Sequence, residues 1–189
     1  MSKDDEKIVF QPQTEAIYKV VIIGDPSVGK TSLLTKFSTK KFETKYLPTV
    51  GVNITKQVLN LDINNKKVTI NLMLWDVAGQ PQFYMLHKPY FNGADGLMLI
   101  FDVTRRSTFS NVKNWYNQCV KFGLSGTPRI LIGNKTDLKG ERKIVQPHAD
   151  HLSEELNAQY FETSALTGDN VESIFESIAK KVYLWKTKK

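Results

Sequence analysis

The sequence predicts a three-layer α/β fold in which helices cover both faces of a mostly parallel sheet. Short runs rich in Val, Ile and Leu, each followed by polar loop residues, are typical of strands buried on both faces. These runs span residues 17–24, 68–77, 96–103 and 129–133. Because helical segments alternate with them, we expect parallel strands joined by right-handed crossovers.

Apolar residues recur at helical spacing in two later segments, which predicts helices packed on the sheet. The first set is Phe109, Val112, Trp115, Tyr116, Cys119 and Val120. The second set is Val171, Ile174, Phe175, Ile178, Val182 and Trp185. Each set should form the buried face of one helix.

One hairpin interrupts the alternation of strands and helices. Residues 57–63 and 67–76 flank Asn64 and Asn65, which tolerate the positive φ of a tight turn, so this pair should be antiparallel. The first residues lack any periodicity. We therefore predict a flexible extension over residues 1–16, one domain over 17–185 and a short basic end over 186–189.

The composition suits one compact domain without disulfides, since 41% of the 189 residues are hydrophobic. Cys119 is the only cysteine, which favours a reducing cell interior, and we expect a cytoplasmic monomer. The net charge of +7 raises the question of nucleic acid binding. The basic residues are spread along the chain without an aromatic-rich RNA platform, so we expect no nucleic acid partner.

Several features argue against a membrane anchor. The longest apolar run near the middle of the chain, 97–101, is too short to cross a bilayer. Residue 2 is serine and the last four residues contain no cysteine, so we expect either no lipid anchor on this chain or a tail that was removed. A weak peripheral contact with anionic lipid, or simply a solvated helix end, would suit the closing lysines: Lys180, Lys181, Lys186, Lys188 and Lys189.

Residues 24–31, GDPSVGKT, follow a buried strand and open a helix, the context in which a GxxxxGK(S/T) loop binds phosphate. Glycines let backbone N–H groups curl around phosphate oxygens, and the helix N-terminus adds its positive end. Lys30 would bridge the outer phosphates, and the Thr31 hydroxyl would bind Mg²⁺. The predicted phosphate-binding residues are Asp25, Ser27, Val28, Gly29, Lys30, Thr31 and Ser32.

A phosphate loop does not define the base, because kinases, ATPases and GTPases share it. Asn134, Lys135 and Asp137 belong to NKTD, which follows the run 129–133. Open α/β sheets bind ligands at such strand ends, and a carboxylate there can accept from the two ring-edge N–H groups of guanine. Adenine has no such donor pair. Alone the string also fits an Asn-Lys turn, but after a phosphate loop it favours guanine.

At this point the chain resembles a small GTPase of the Ras superfamily, nearest to the Rab branch, over residues 17–185. The motifs, in order, are GDPSVGKT, Thr49 in YLPTVGVN, WDVAGQ at 75–80, NKTD, and Thr163-Ser164-Ala165. The resemblance implies a P-loop NTPase G domain with a six-stranded sheet and one antiparallel strand. It also implies a Mg²⁺-dependent GTP/GDP switch that hydrolyses GTP slowly. Effectors, exchange factors and GTPase-activating proteins would be its partners.

The resemblance also implies roles for residues near the γ-phosphate. The Thr49 hydroxyl would reach Mg²⁺ while its backbone senses the phosphate, and Asp76 would hold Mg²⁺ through water. The Gly79 N–H would meet the γ-phosphate. Gln80 would position the attacking water, with Lys30 neutralising the developing charge.

Residues around the base carry further expected roles. Phe42 resembles the aromatic that covers the guanine edge, and Tyr46 the one that closes over the phosphates, although both would also suit core packing. Ser164, Ala165 and Leu166 would line the base. Leu166 stands where the family more often has lysine, so aliphatic packing would replace a lysine stem.

Some positions depart from the family pattern. Pro26 offers no N–H within the phosphate loop, and Pro81 and Gln82 alter the second switch. Residues 42–53 contain no arginine, so an arginine finger would have to come from a partner. These departures leave open a hydrolysis-impaired scaffold, against which Gln80 argues. An ATP-using phosphotransferase is the other alternative, against which Asp137 argues.

The two switch loops, 42–53 and 78–92, should lose order when the γ-phosphate is removed. The second of them is rich in apolar side chains that would suit partner docking, although some of these would also suit the core. They are Phe83, Tyr84, Met85, Tyr90 and Phe91.

Overall fold

The computed structural model describes residues 14–40, 49–80 and 87–188. A six-stranded sheet runs through it in the order β2-β3-β1-β4-β5-β6. The strands are β1 (Thr14–Ile23), β2 (Val52–Ile63), β3 (Lys66–Val77), β4 (Gly96–Asp102), β5 (Arg129–Asn134) and β6 (Gln159–Thr163). Only the β2–β3 pair is antiparallel among these strands. The predicted mostly parallel sheet with one antiparallel strand is confirmed.

Helices cover both faces of the sheet, which confirms the three layers. They are α1 (Lys30–Thr39), α2 (His87–Phe91), α3 (Arg106–Ser110), α4 (Val112–Lys121), α5 (Gln146–Glu155) and α6 (Val171–Thr187), and a short 3-10 turn covers Lys139–Glu141. Apolar residues of α1 and α6 pack on one face, and those of α2, α4 and α5 pack on the other.

The central strand β1 shows why its sequence is almost continuously apolar. Val20 and Ile22 face the layer of α1 and α6, while Val21 and Ile23 face the opposite layer. All of them are at most 1% exposed. A strand covered on both faces needs apolar residues at successive positions, as the sequence indicated.

The predicted hairpin is confirmed at its turn, since Asn64 and Asn65 have φ of 52° and 62°. Its first strand, however, begins at Val52 rather than at residue 57 and stays paired with β3 to its start. Asn53 and Lys56 are exposed there. Residues 52–56 were missed because polar residues on the open side of an edge strand interrupt the apolar pattern.

β1 likewise begins earlier than expected, at Thr14 instead of residue 17. Residues 14–16 were assigned to the extension, but they pair with β3 at Val68, Thr69 and Ile70. Backbone pairing holds them in the sheet without an apolar pattern. The Glu15 carboxylate also accepts a hydrogen bond from Asn71 Nδ2 at 2.8 Å.

The predicted helix over 109–120 is divided at Asn111, so Phe109 lies in α3 and the later residues lie in α4. Val112, Trp115 and Cys119 are buried as predicted. Val120 is 38% exposed, so its place on the buried face was wrong. At 3.6 residues per turn it lies about 80° around the axis from Val112, at the margin of the buried face.

Replacing Phe175 by alanine should destabilise the fold strongly. Phe175 is fully buried and its ring stacks on Phe37 of α1, with centroids 4.1 Å apart. Loss of such a side chain leaves a cavity, and we expect the free energy of unfolding to fall by about 3–5 kcal/mol in chemical denaturation. The exposed control Val120→Ala should change it by less than about 0.5 kcal/mol. Equal effects of the two variants would contradict this account of the core.

Candidate functional site

The predicted functional residues gather at the carboxyl ends of the parallel strands. Asp76 of β3 pairs with Ile22, just before the loop that follows β1. On the other side, Asn134 of β5 pairs with Asp102 of β4 and with Thr163 of β6. Loops that leave neighbouring strands in the same direction meet at one edge, where open α/β sheets form their ligand sites.

The loop between β1 and α1 is packed too closely for ordinary residues. A Cβ on Gly29 would lie 2.2 Å from Asn134 Nδ2, and its φ of 101° also requires glycine. Ser27 adopts φ of 61° without being glycine. That left-handed conformation costs about 1–2 kcal/mol, so the surrounding contacts must hold it.

Lys30 lies at the first position of α1 and is only 6% exposed. Its Nζ donates to the carbonyl oxygens of Gly24 at 2.8 Å and of Asp25 at 2.9 Å. Burial lowers the pKa of Lys30 to about 8, partly opposed by the carboxylates of Asp76 and Asp25. The ammonium group is thus fixed across the phosphate loop.

A cluster of two hydroxyls and a carboxylate lies beside this loop. Thr31 Oγ1 donates to Asp76 Oδ2 at 2.5 Å, and Thr49 Oγ1 lies 2.9 Å from Thr31 Oγ1 and 3.5 Å from Asp76 Oδ2. Burial raises the pKa of Asp76, against the effects of the Thr31 hydrogen bond and of Lys30. Asp76 Oδ1 is buried and has no hydrogen-bond partner within the described ranges. The structure therefore brings all three predicted metal ligands together.

The chain segment after β3 lies directly against the phosphate loop. A Cβ on Gly79 would be 2.5 Å from Gly24 O and 2.7 Å from Pro26 N. Gln80 Oε1 is buried without a partner in the part of the chain that the structure describes. One small cavity is lined by Pro26, Ser27, Gly29, Lys30, Thr31, Ser32, Thr49, Gly79 and Gln80. Most of the predicted phosphate, metal and catalytic residues therefore share a single cavity.

Asn134 joins three loops instead of presenting its amide freely. Its Nδ2 donates to the Val28 carbonyl at 2.8 Å. Its Oδ1 accepts from Thr163 Oγ1 and from the Ala165 N–H, both at 3.2 Å. One buried side chain thereby fixes the phosphate loop against the segment that carries Ser164 and Ala165.

The rest of the NKTD motif is held from both sides. Lys135 Nζ forms an ion pair with Asp102 Oδ2 at 2.7 Å. Asp137 Oδ1 accepts from Ser164 Oγ at 2.6 Å, and the same hydroxyl oxygen accepts from the Thr167 N–H at 3.1 Å. Leu166 is 51% exposed. The Asp137 carboxylate is therefore oriented by a neighbouring loop while remaining half-buried.

Some contacts at the site were not predicted. Asp25 was expected to bind the ligand, yet its Oδ1 accepts from Asn111 Nδ2 at 2.5 Å and from Trp115 Nε1 at 2.8 Å. Its side chain therefore anchors the loop to α4. Asp102 and Arg105 also contact the site. The polar residue closing a buried strand was a usable signal for Asp102, but nothing in the local sequence pointed to Arg105.

Other predicted residues lie outside the described ranges or are buried away from the site. Phe42 and Tyr46 are outside the described residues, as are Phe83, Tyr84, Met85, Pro81 and Gln82. Phe91 is fully buried in the core, which is the alternative to a docking surface that the sequence left open for this set. Tyr90 is half-buried, with its ring 6.4 Å from that of Trp75.

A glycine loop between a buried strand and a helix, a lysine across that loop and an oxygen cluster beside it define a P-loop nucleotide-binding protein. The Ras family model matches residues 19–184 of the chain. The chain therefore belongs to the Ras family. It is a small GTPase that binds GTP and GDP, hydrolyses GTP and acts as a switch with regulator and effector proteins. None of the findings favours a hydrolysis-impaired scaffold.

Relatives in the Rab branch support this assignment. Ras-related protein Rab-13 of Bos taurus is 36% identical over 168 residues, which cover 89% of this chain and 81% of that protein. Ras-related protein Rab-8B of Pongo abelii is 35% identical over 88% of this chain and 78% of its own length. Ras-related protein RABE1e of Arabidopsis thaliana is 37% identical over 88% and 75%.

No helix within residues 14–40, 49–80 and 87–188 is both long enough and apolar enough to cross a membrane.

Replacing Gly79 by alanine should weaken nucleotide retention. The new Cβ would clash with the backbone of Gly24 and Pro26, so the phosphate loop must shift. We expect bound fluorescent GDP and GTP to dissociate at least about tenfold faster, since displaced donors lose charge-assisted hydrogen bonds. Gly140→Ala is the matched control, because a Cβ there meets nothing within 4 Å. Unchanged dissociation in Gly79→Ala would contradict the close packing of these two loops.

Proposed function

We propose that Asp137 selects guanine while the loop 24–31 holds the phosphates, with Lys30 bridging the outer ones. The single observation that carries this proposal is the Ser164 hydrogen bond, which orients the Asp137 carboxylate at 2.6 Å. A carboxylate fixed in this way can accept from both ring-edge N–H groups of guanine. Ser164 supports it, and Ala165 and Leu166 line the base. Phe42 at the guanine edge and Tyr46 over the phosphates are proposed from their motif positions alone.

We further propose that Mg²⁺ is held by Thr31 and Thr49, with Asp76 acting through water. Hydroxyl and carboxylate oxygens are ligands that suit this small, hard cation. The buried Asp76 Oδ1, which has no partner within the described part of the chain, fits the same purpose, because a buried carboxylate oxygen is costly unless something satisfies it. When bound, the ion would neutralise charge on the β- and γ-phosphates.

For hydrolysis, Gln80 is the residue that would orient the attacking water, and its Oε1, buried without a partner among the described residues, supports that role. The Gly79 N–H would donate to the γ-phosphate, and Lys30 would offset the negative charge that develops there. Residues 42–53 supply no arginine, and Pro26 supplies no N–H. The unassisted reaction should therefore be slow and should respond to a partner that contributes an arginine.

We also propose an oligomeric state, a cellular compartment and a mode of membrane contact for this chain. It would act as a monomer, and its lone, buried Cys119 suits a reducing cytoplasm. Contact with an anionic membrane would be weak and peripheral. Lys180 and Lys188 are exposed for such contact, whereas Lys186 already forms an ion pair with Asp95 at 2.5 Å.

Removing the Asp137 carboxylate should abolish most of the preference for guanine. Asp137→Ala loses two charge-assisted hydrogen bonds to the base, so we expect GTP affinity to fall by about a hundredfold or more while ATP affinity changes little. Competition against a fluorescent guanine nucleotide measures both affinities. Asp62→Ala, on the exposed side of β2, is the control and should leave both unchanged. The proposal is overturned if Asp137→Ala keeps the wild-type ratio of GTP to ATP affinity.

Single-turnover hydrolysis without a partner should proceed at about 10⁻⁴ to 10⁻² per second, the range known for Ras and Gα themselves.

In the presence of a matching activating protein, Gln80→Leu should lower the stimulated rate at least about tenfold. Gln159→Leu, exposed on β6, should leave it unchanged. Chelation of Mg²⁺ should abolish turnover. An unassisted wild-type rate above about one per second would show that the catalytic set is complete without a partner.

A further inference from the structure

Arg105 contacts the phosphate loop but does not line the cavity. It lies between β4 and α3, and its Nη2 donates to the Pro26 carbonyl at 2.9 Å. Its Nε donates to Asp102 Oδ2 at 3.0 Å. The side chain therefore connects a backbone carbonyl of the phosphate loop to a carboxylate at the end of β4.

That carboxylate is a firm anchor. Asp102 is 1% exposed, and its Oδ1 accepts from the Thr104 N–H at 2.9 Å and from Thr104 Oγ1 at 2.6 Å. Its Oδ2 accepts from Arg105 and also from Lys135 Nζ at 2.7 Å. Burial alone would raise the pKa of Asp102, but the bonds from Lys135 and Thr104 outweigh it and lower the pKa. Asp102 is thus a charged group, and each of its two carboxylate oxygens is contacted by two donors.

The anchored carbonyl determines where the next amide points. In a trans peptide the C=O and the N–H point in opposite directions, and no cis peptide occurs in the described residues. Because the Pro26 carbonyl accepts from Arg105, which does not line the cavity, the Ser27 N–H of the same peptide points to the opposite side. Pro26 has no N–H of its own. Ser27 is consequently the first residue after Asp25 whose amide this loop can offer to a phosphate.

The conformation at Ser27 gives the contact between Arg105 and the preceding carbonyl a structural role. Its φ of 61° is unfavourable for a residue that carries a Cβ. A neighbouring peptide fixed by a charged donor limits the ways in which this strain can relax. Ser27 and Pro26 both line the phosphate cavity, so a rotation of the peptide between them would remove a donor from that cavity.

We propose that Arg105 is a positioning residue for phosphate binding: it holds the Pro26–Ser27 peptide so that the Ser27 N–H faces the β-phosphate. Through their shared partner Asp102, Arg105 and Lys135 also fix the phosphate loop and the NKTD loop to one buried carboxylate. This inference rests on the proposed phosphate-binding function of residues 24–31.

The geometry requires an arginine. A guanidinium group presents Nε and Nη2 in a fixed plane and so reaches two acceptors at once. A lysine at this position has one flexible ammonium and would keep the ion pair with Asp102 while losing the directed bond to the carbonyl. Arg106, the next residue, is exposed and provides a matched control of the same charge.

The test compares GDP with GMP, because only GDP carries the β-phosphate. Affinities of wild type, Arg105→Ala, Arg105→Lys and Arg106→Ala are measured by competition with a fluorescent GDP. We expect Arg105→Ala to weaken GDP about tenfold more than GMP, as for the loss of one charge-assisted hydrogen bond. Arg105→Lys preserves the ion pair with Asp102 and hence the fold. It should still show most of the additional weakening of GDP relative to GMP. Arg106→Ala should match wild type.

Lys30→Ala, measured in parallel, separates this inference from the function on which it rests. If Lys30→Ala loses the preference for GDP over GMP while Arg105→Ala and Arg105→Lys keep it, the role of Arg105 is refuted and the phosphate loop stands. If Arg105→Ala weakens GDP and GMP by the same factor, Arg105 acts only on general stability and the inference is also refuted. If Lys30→Ala keeps the preference too, both proposals fail.

Discussion

The buried amide of Asn134 is the interaction on which the rest of the site depends. It donates to the Val28 carbonyl of the phosphate loop and accepts from Thr163 and from the Ala165 N–H. Because it lies where a Cβ of residue 29 would be, it also explains why that residue is glycine. Parts of the chain that are far apart in sequence thereby converge, so that the phosphate loop and the segment carrying Ser164 and Ala165 are held at a fixed separation. Pre-organisation of this kind reduces the entropy lost on binding.

Asp25, Asp76 and Asp102 lie near the ends of the strands and differ in their hydrogen-bond partners. Their partners suit them to different roles. Asp25 accepts from the neutral donors of Asn111 and Trp115 and ties the phosphate loop to α4. Asp102 is saturated by Arg105, Lys135 and Thr104, which suits an anchor. Asp76 alone of the three has a buried oxygen without a partner in the described ranges. The carboxylate that remains unsatisfied is the one best suited to a cation, because a saturated group would gain little from it.

The sequence predicted those parts of the fold and site that depend on local pattern. Strands buried on both faces were visible as apolar runs, and the phosphate and NKTD loops were visible because few residue types fit them. Asn53 and Thr14 were missed because their backbones pair with β3 outside any apolar run of the sequence. The contacts of Trp115 with Asp25 and of Arg105 with Pro26 were missed because each joins residues about 80–90 positions apart. Val120 and Phe91 show that spacing and polarity do not settle which side of a helix faces the core.

The two segments that would sense the γ-phosphate are joined at their bases by the sheet. Thr49 precedes β2 and Gly79 follows β3, and the Ala78 N–H donates to the Gly51 carbonyl at 2.9 Å, just beyond the paired residues Val52 and Val77. A displacement of Thr49 away from Asp76 would therefore act, through Gly51 and Ala78, on the backbone that carries Gly79 and Gln80. Binding free energies at coupled sites are reciprocal, so a partner that holds one segment in place also favours the other. The antiparallel hairpin thus connects the two segments that are proposed to sense the γ-phosphate.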